Sequence, residues 1–306
     1  MTRTFKGRVI KSTGSWYSVM DDAGKTINCR LKGLYRTKGI RATNPIAVGD
    51  IVDYSISDTD NSGLIINIHA RKNYLIRKAT KLSKATQIIA ANIDQVVVIV
   101  SLTKPRTSTG FIDRILTTSE AYHIPAIIIF NKFDLYDKKT IVTLEFIKKA
   151  YEKEGYKCLI TSVPERIRLN EFKAILQGKI SLLSGHSGVG KSALINCIDS
   201  SLSLKTGEIS DYHKKGIHTT TFANMFHLQF GGYVIDTPGI KEFGLVEFDK
   251  VELGQRFPEI RNLMQQCRFN NCLHLNEPGC AVIKAVSKGD IVEFRYTNYL
   301  NMLSSI

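Results

Sequence analysis

The sequence is short of several things. Its 306 residues hold only six cysteines and one tryptophan. So few cysteines exclude a disulfide framework, and a reducing compartment would keep them as thiols. Long hydrophobic runs are missing. Apolar stretches such as 95–100 and 126–130 fall far short of the roughly 20 residues that span a bilayer. Residues 1–13 are basic but carry no apolar signal-peptide core, so the expected compartment is the cytoplasm. Acidic residues are scarce as well: 28 Asp+Glu stand against 42 Lys+Arg, a net charge of +14. Hydrophobic residues make up 43% of the chain, which supports a packed core and excludes global disorder.

The charge is uneven. Residues 1–49 carry ten Lys/Arg and only Asp21 and Asp22 as acids, and residues 71–84 carry Arg71, Lys72, Arg77, Lys78, Lys81 and Lys84 with no acid. Such clustering points to a polyanionic partner, but charge alone does not choose among RNA, DNA and a membrane surface. Turn signals at Thr13-Gly14, Asp22-Ala23-Gly24, Asn44-Pro45, Val48-Gly49-Asp50 and Asn61-Ser62-Gly63 separate five strand candidates, 5–11, 15–19, 26–30, 50–56 and 64–68. Five short strands in about 70 residues suit a small closed barrel of the oligonucleotide-binding type. From about residue 90 buried runs alternate with amphipathic stretches, the pattern of an open α/β sheet. Strands are expected at 96–100, 126–130, 157–160, 180–184 and 233–236, and helices at 110–123, 140–154 and 172–176. Beyond about 246 the chain reads as helical and irregular.

Four motifs carry chemistry. Strand 180–184 leads into Gly185-His186-Ser187-Gly188-Val189-Gly190-Lys191-Ser192, followed by an apolar helix from Ala193. This strand–loop–helix fits a phosphate-binding loop. Its glycines let backbone N–H groups wrap the phosphates, Lys191 reaches the β/γ-phosphates and Ser192 ligates Mg²⁺. His186 reads as a spacer with a solvent-facing side chain. Strand 126–130 ends in Asn131-Lys132-Phe133-Asp134. The Asp134 carboxylate can accept the two adjacent donors that guanine presents and adenine lacks. Lys132 would lie along the base and Asn131 would tie this loop to the phosphate loop. Thr161-Ser162, at a further strand end, can offer a backbone N–H to the guanine oxygen. Strand 233–236 runs into Asp236-Thr237-Pro238-Gly239. There Asp236 can hold the Mg²⁺ water shell and the Gly239 N–H can sense a γ-phosphate. Of the threonines 219–221, Thr220 is favoured as a second Mg²⁺ ligand, with Thr219 next.

The base-reading loop precedes the phosphate loop and the Asp-x-x-Gly segment, the reverse of the usual GTPase order, so the domain is circularly permuted. The position after Gly239, where many GTPases carry a water-orienting glutamine, is Ile240. Slow intrinsic hydrolysis follows. His218 is a candidate water-orienting group, with packing or RNA contact as its competing role. Finally, Cys267, Cys272, His274 and Cys280 offer three thiolates and an imidazole within 14 residues, a ligand set for one structural Zn²⁺.

Together, the basic barrel, the permuted motifs and the Cys/His cluster resemble the ribosome small subunit-dependent GTPase A (RsgA) family along essentially the whole chain. The resemblance implies a multidomain α/β protein: a barrel at 1–72, a permuted GTPase domain at 73–245 and a small helical zinc-binding domain at 246–306. It implies GTP/GDP, Mg²⁺ and Zn²⁺ as ligands and hydrolysis stimulated by the small ribosomal subunit. It implies a role in late maturation of that subunit, with its rRNA and other assembly factors as partners. Monomer is the default state and no membrane partner is expected. Two competing readings are a permuted GTPase of large-subunit assembly and an RNA-binding module with a regulatory nucleotide site.

Overall fold

A computed structural model describes residues 3–31, 45–56, 62–78, 86–202, 204, 223–236 and 249–306. The chain forms two compact units. One comprises Met1–Val96, Asn170–Ser184 and Lys191–Glu242, and the other Val97–Leu169, Gly185–Gly190 and Phe243–Ile306.

In the first unit, β1 (Thr4–Ser12), β2 (Tyr17–Met20), β3 (Thr26–Leu31), β4 (Ile51–Ile56) and β5 (Gly63–Ile68) close into a barrel. The order is β1-β2-β3-β5-β4, with β4 returning to β1 and only β3–β5 parallel. This is the expected five-strand closure. Alternation explains it: Val9, Tyr17, Val19, Cys29, Val52, Tyr54 and Ile65 turn inward and are buried. Three strands escaped the sequence reading. β6 (Tyr74–Lys78) and β7 (Thr86–Ala91) form an antiparallel hairpin within the basic stretch. Arg71, from the same stretch, binds the fully buried Asp50 through Nε and Nη2 at 2.7 Å each and the Pro45 carbonyl at 2.8 Å. That guanidinium is committed to the fold. β11 (Ile180–Ser184) runs parallel to β13 (Tyr233–Asp236). β12 (Asn224–His227), the third missed strand, pairs antiparallel with β13 and meets β1 at Lys11–Asn224.

In the second unit, β8 (Gln95–Val100), β9 (Ala126–Phe130) and β10 (Lys157–Ile160) lie side by side, β9 and β10 parallel. Val97–Val100 are fully buried, as a strand covered on both faces requires. Helix α1 (Thr109–Ala121) is capped by Ser108, whose hydroxyl accepts the Phe111 N–H. Asp137 caps α2 (Lys138–Lys153) in the same manner. In the sequence of the first unit, helix α3 (Leu169–Leu176) precedes β11, and α4 (Lys191–Ile198) follows the loop after it. Four short helices end the chain: α5 (Lys250–Gln255), α6 (Pro258–Met264), α7 (Ala281–Lys288) and α8 (Glu293–Leu303). Their core gathers Leu253, Phe257, Ile260, Val282, Ile291, Tyr299 and Met302. Among the described residues, no helix is long and apolar enough to cross a membrane.

Candidate nucleotide site and metal centre

In the second unit, β9 delivers the base-reading loop at its C-terminal end. The Asn131 N–H donates to the Val100 carbonyl at 2.8 Å, so the loop continues the sheet by one rung. The Asn131 carboxamide is buried and used at both ends. Its nitrogen donates to the Val189 carbonyl at 2.9 Å, and its oxygen accepts the Thr161 hydroxyl at 3.0 Å. One side chain thus links the base loop, the phosphate loop and the end of β10. The glycines fit this closeness. Gly190 has φ +98°, and a Cβ there would lie 2.4 Å from Asn131 Nδ2. Gly185 has φ +148°, and a Cβ would lie 2.1 Å from the Ile99 carbonyl oxygen.

Asp134 accepts the Ser162 hydroxyl at 2.6 Å, which steers its carboxylate. Lys132 adopts φ +65°, and its Nζ donates to the Lys104 carbonyl at 2.7 Å. Tyr136 was not singled out from sequence. Its hydroxyl donates to the Asn131 carbonyl and accepts the Leu102 N–H, both at 2.9 Å, and so braces the loop from below. Its place two residues after Asp134 was the only signal. His186 differs from the expected solvent-facing spacer, since its ring lies 3.9 Å from the Phe111 ring at the start of α1. Ser187 and Gly188 are exposed and Val189 is buried.

In the first unit, α4 begins with Lys191, Ser192 and Ala193, the residues that follow the loop. Burial lowers the affinity of Lys191 for its proton, an effect opposed by Asp236. Burial also pushes the Asp236 carboxyl up to about 6, against the pull of Lys191. Both charges are short of solvation, and a phosphate with its Mg²⁺ would supply what they lack. Thr219, Thr220, Thr221, His218, Gly239 and Ile240 lie outside the described residues.

The Cys/His cluster comes together in the second unit. The ligand atoms of Cys267, Cys272, His274 and Cys280 all lie within 4.8 Å of one another. His274 Nδ1 is 3.4 Å from Cys280 Sγ and 3.7 Å from Cys267 Sγ, and the Cys267 and Cys280 sulfurs are 3.9 Å apart. Tetrahedral zinc, with sulfur at about 2.3 Å and nitrogen at about 2.0 Å, spaces its ligands by roughly 3.5–3.8 Å. The residues therefore fit that ion. Burial holds the imidazole of His274 below its usual range, in the neutral form that ligates metals. Burial pushes the Cys272 thiol up to about 12, so an ion is needed to make it a thiolate.

Two supports were missed from sequence. The Glu277 carboxylate accepts the N–H groups of Leu273 and Leu275 at 2.7 Å and of Asn276 at 3.1 Å. Tyr296 and Tyr299 donate to the carbonyls of His274 and Leu273 at 2.6 and 2.9 Å. An acid just before Pro-Gly, between two ligands, was the readable signal for Glu277.

A phosphate loop between a parallel strand and a helix, with an Asn-Lys-x-Asp loop placed before it in the chain, defines a circularly permuted P-loop GTPase. The profile of the RsgA GTPase family matches residues 68–246, and that of the RsgA N-terminal domain matches residues 6–65. A protein of Phocaeicola vulgatus named small ribosomal subunit biogenesis GTPase RsgA is 52% identical over 298 residues, covering 97% of this chain and 96% of the relative. A protein of the same name from Flavobacterium johnsoniae is 50% identical over 299 residues, covering 97% and 92%. The crystal structure of YjeQ from Thermotoga maritima superposes with a TM-score of 0.80 at 34% identity, covering 99% of this chain and 98% of that one. The structure of YloQ, described as a circularly permuted GTPase, gives 0.74 at 31% identity, covering 99% and 95%. The chain belongs to the RsgA GTPase family and is a GTP hydrolase.

Proposed function

We propose that this GTPase is a nucleotide-controlled assembly factor of the small ribosomal subunit, acting in the cytoplasm as a monomer late in that subunit's maturation. The observation that carries this reading is the full-length kinship to proteins named for small-subunit biogenesis. The clustered positive charge of residues 1–49 supports contact with rRNA.

In this reading the three parts are a barrel at 1–72, the GTPase domain at 73–245 and a zinc-binding domain at 246–306. Asn131, Lys132, Asp134 and the backbone of Thr161 and Ser162 hold guanine. Residues Gly185 to Ala193 hold the phosphates. Ser192 and Thr220 ligate Mg²⁺, Asp236 holds its water shell and the Gly239 N–H reads the γ-phosphate. Ile240 cannot orient the attacking water, so the unaided enzyme is slow, and the ribosomal subunit brings His218 into that role. One Zn²⁺ held by Cys267, Cys272, His274 and Cys280 is structural.

The test is GTP turnover with purified small subunits, large subunits or free RNA. Small subunits should stimulate turnover well above the other two. Stimulation by large subunits alone would overturn the reading in favour of large-subunit assembly.

A further inference from the structure

The segment after β8 belongs to none of the motifs, yet it touches both nucleotide loops within its unit. Residues 101–107 close on themselves. The Ser101 N–H donates to the Thr107 hydroxyl at 3.3 Å, and the Thr107 N–H donates to the Ser101 carbonyl at 2.8 Å. The Thr103 N–H donates to the Ser101 hydroxyl at 3.2 Å. Ser101 and Thr107, the two ends, are buried. The base loop holds this segment twice, at the Leu102 N–H through the Tyr136 hydroxyl and at the Lys104 carbonyl through Lys132 Nζ. The phosphate loop lies against it as well. A Cβ on Gly188 would stand 3.5 Å from Pro105 Cδ, and just beyond the segment Phe111 packs on His186. Lys104, Pro105 and Arg106 form the exposed tip. Among the described residues, neither the Lys104 ammonium nor the Arg106 guanidinium has a partner.

We propose that residues 101–107 form a third wall of the nucleotide site, on which Lys104 and Arg106 bind the α- and β-phosphates. The inference rests on the nucleotide reading above and adds a segment that this reading leaves out. Three features select phosphate as the occupant. The first is place. Pro105 abuts the middle of the loop whose N–H groups wrap the phosphates, and the two cations flank Pro105. Gly188 stands three residues before Lys191, which serves the β/γ end, so the tip faces the α/β end that GDP and GTP share. The second is chemistry. A guanidinium offers a planar fork of donors that matches phosphate oxygens, and an ammonium offers a compact point charge. The third is rigidity. Hydrogen bonds hold both ends and the middle of the segment, so little order is left to impose when the nucleotide binds. The same wall sets the pose of Lys132. With its Nζ held by the Lys104 carbonyl, its apolar stem is left to lie along the base.

The test compares nucleotide binding by the full-length protein and its variants, through displacement of a fluorescent GDP analogue. Arg106→Ala and Lys104→Ala should each lower affinity for GDP and GTP by about tenfold. Arg106→Lys and Lys104→Arg keep the charge and should each lose less. Guanosine, which has no phosphates, should bind the variants and the unmodified protein equally. Both side chains are exposed, so the melting temperature of the nucleotide-free protein should hardly move. A second measurement needs no variant. GDP should shield Arg106 from phenylglyoxal and Lys104 from acetylation, read by peptide mass mapping, while guanosine should shield neither. Unchanged GDP affinity in both alanine variants, or equal modification with and without GDP, overturns the proposal. Tip variants that lose small-subunit affinity at unchanged GDP affinity would put the tip on RNA instead, and overturn it too. Lys191→Ala separates the wall from the site itself. If Lys191→Ala loses GDP affinity and the tip variants do not, the wall alone fails. If none of the three loses affinity, the phosphate-loop reading fails with it.

Discussion

In the proposed reading Asp134 recognises the base, and one oxygen of its carboxylate already accepts the Ser162 hydroxyl at 2.6 Å. Two neighbouring donors on guanine need two acceptor lone pairs, and a carboxylate has them to spare. In Asp134→Asn one oxygen becomes an NH₂ group that faces the guanine amine, donor against donor. GTP affinity should fall by about a hundredfold or more. A purine with a carbonyl at the same position, xanthosine triphosphate, should gain affinity. Competition binding with both nucleotides checks this, and an unchanged preference for GTP would remove Asp134 from base selection. Asp236 gives a second, pH-based prediction. Its carboxyl is raised to about 6 by burial, above the ordinary value of about 3.9. Protons therefore leave the folded apo form later than the unfolded chain. This contribution to apo stability is full below about pH 4 and is lost as pH rises through about 6. Mg²⁺ held through Asp236, as proposed, needs the ionised form, so the extra thermal stability conferred by Mg²⁺·GDP should be larger at pH 7.5 than at pH 5. Asp236→Asn should flatten that difference. Equal Mg²⁺-dependent shifts at both pH values in the unmodified protein would contradict the assignment.

At the scale of elements, α1 is gripped on two sides within its unit. Near its start Phe111 packs on His186 of the phosphate loop. Two residues on, the fully buried Asp113 accepts from Arg295, from Asn298 at 2.6 Å and from Tyr151 at 2.8 Å. Arg295 also binds Glu259 through Nε and Nη2, at 2.7 and 3.0 Å. Burial alone would weaken the hold of Arg295 on its proton, yet Asp113 and Glu259 raise it well above its ordinary value. Helices α6 and α8 are therefore joined to α1 and α2 by a buried charge network. Arg295→Met leaves two buried carboxylates without their cation. It should cost about 3–5 kcal/mol of stability, read as a lower urea midpoint. A loss under about 1 kcal/mol would mean the network is neutral to folding.

None of this network was legible in the sequence, because 182 residues separate Asp113 from Arg295 and neither belongs to a local pattern. Long periodic or continuous apolar runs were legible. Strands β9, β10, β11 and β13 begin and end at the residues expected of them. The β6–β7 hairpin was missed because Arg77 and Lys78 mask a short apolar run, Tyr74–Ile76. β12 is four residues long with one buried side chain, too little for a pattern. Motifs with fixed local spacing were the legible part of the sites. Their braces, Tyr136, Glu277 and Phe111, act through contacts that spacing does not encode.

The Cys/His cluster, compatible with a zinc ion, is built into the core of the C-terminal helices. Cys272 and Cys280 belong to the same buried group as Leu253, Phe257 and Tyr299, so the ligands are also core residues. Removing the ion should then loosen α5 to α8 together. Among the cysteines, only Cys197 is exposed, so the untreated protein should offer roughly one fast-reacting thiol. A strong chelator should add the three ligand thiols, Cys267, Cys272 and Cys280, and lower the melting temperature. Thiol titration with and without chelator checks both, and an unchanged thiol count would exclude a metal-held cluster.

For the whole molecule the governing quantity is its charge of +14, concentrated in residues 1–49 and 71–84. The structure removes Arg71 from the available cations and pairs Lys72 with Asp94 at 3.2 Å. Arg36, Lys38 and Arg41 lie outside the described residues, while Lys11, Lys25 and Arg30 stand exposed on the barrel. Binding that releases counterions weakens linearly on a log–log plot against salt. If about six phosphates are neutralised, affinity for the small subunit should fall about a thousandfold between 50 and 200 mM salt. Charge reversal at Arg36, Lys38 and Arg41 should lower subunit affinity and make that slope shallower, while GTP affinity stays as it was. A slope near zero in the unmodified protein would mean that the excess charge serves the fold and not the partner.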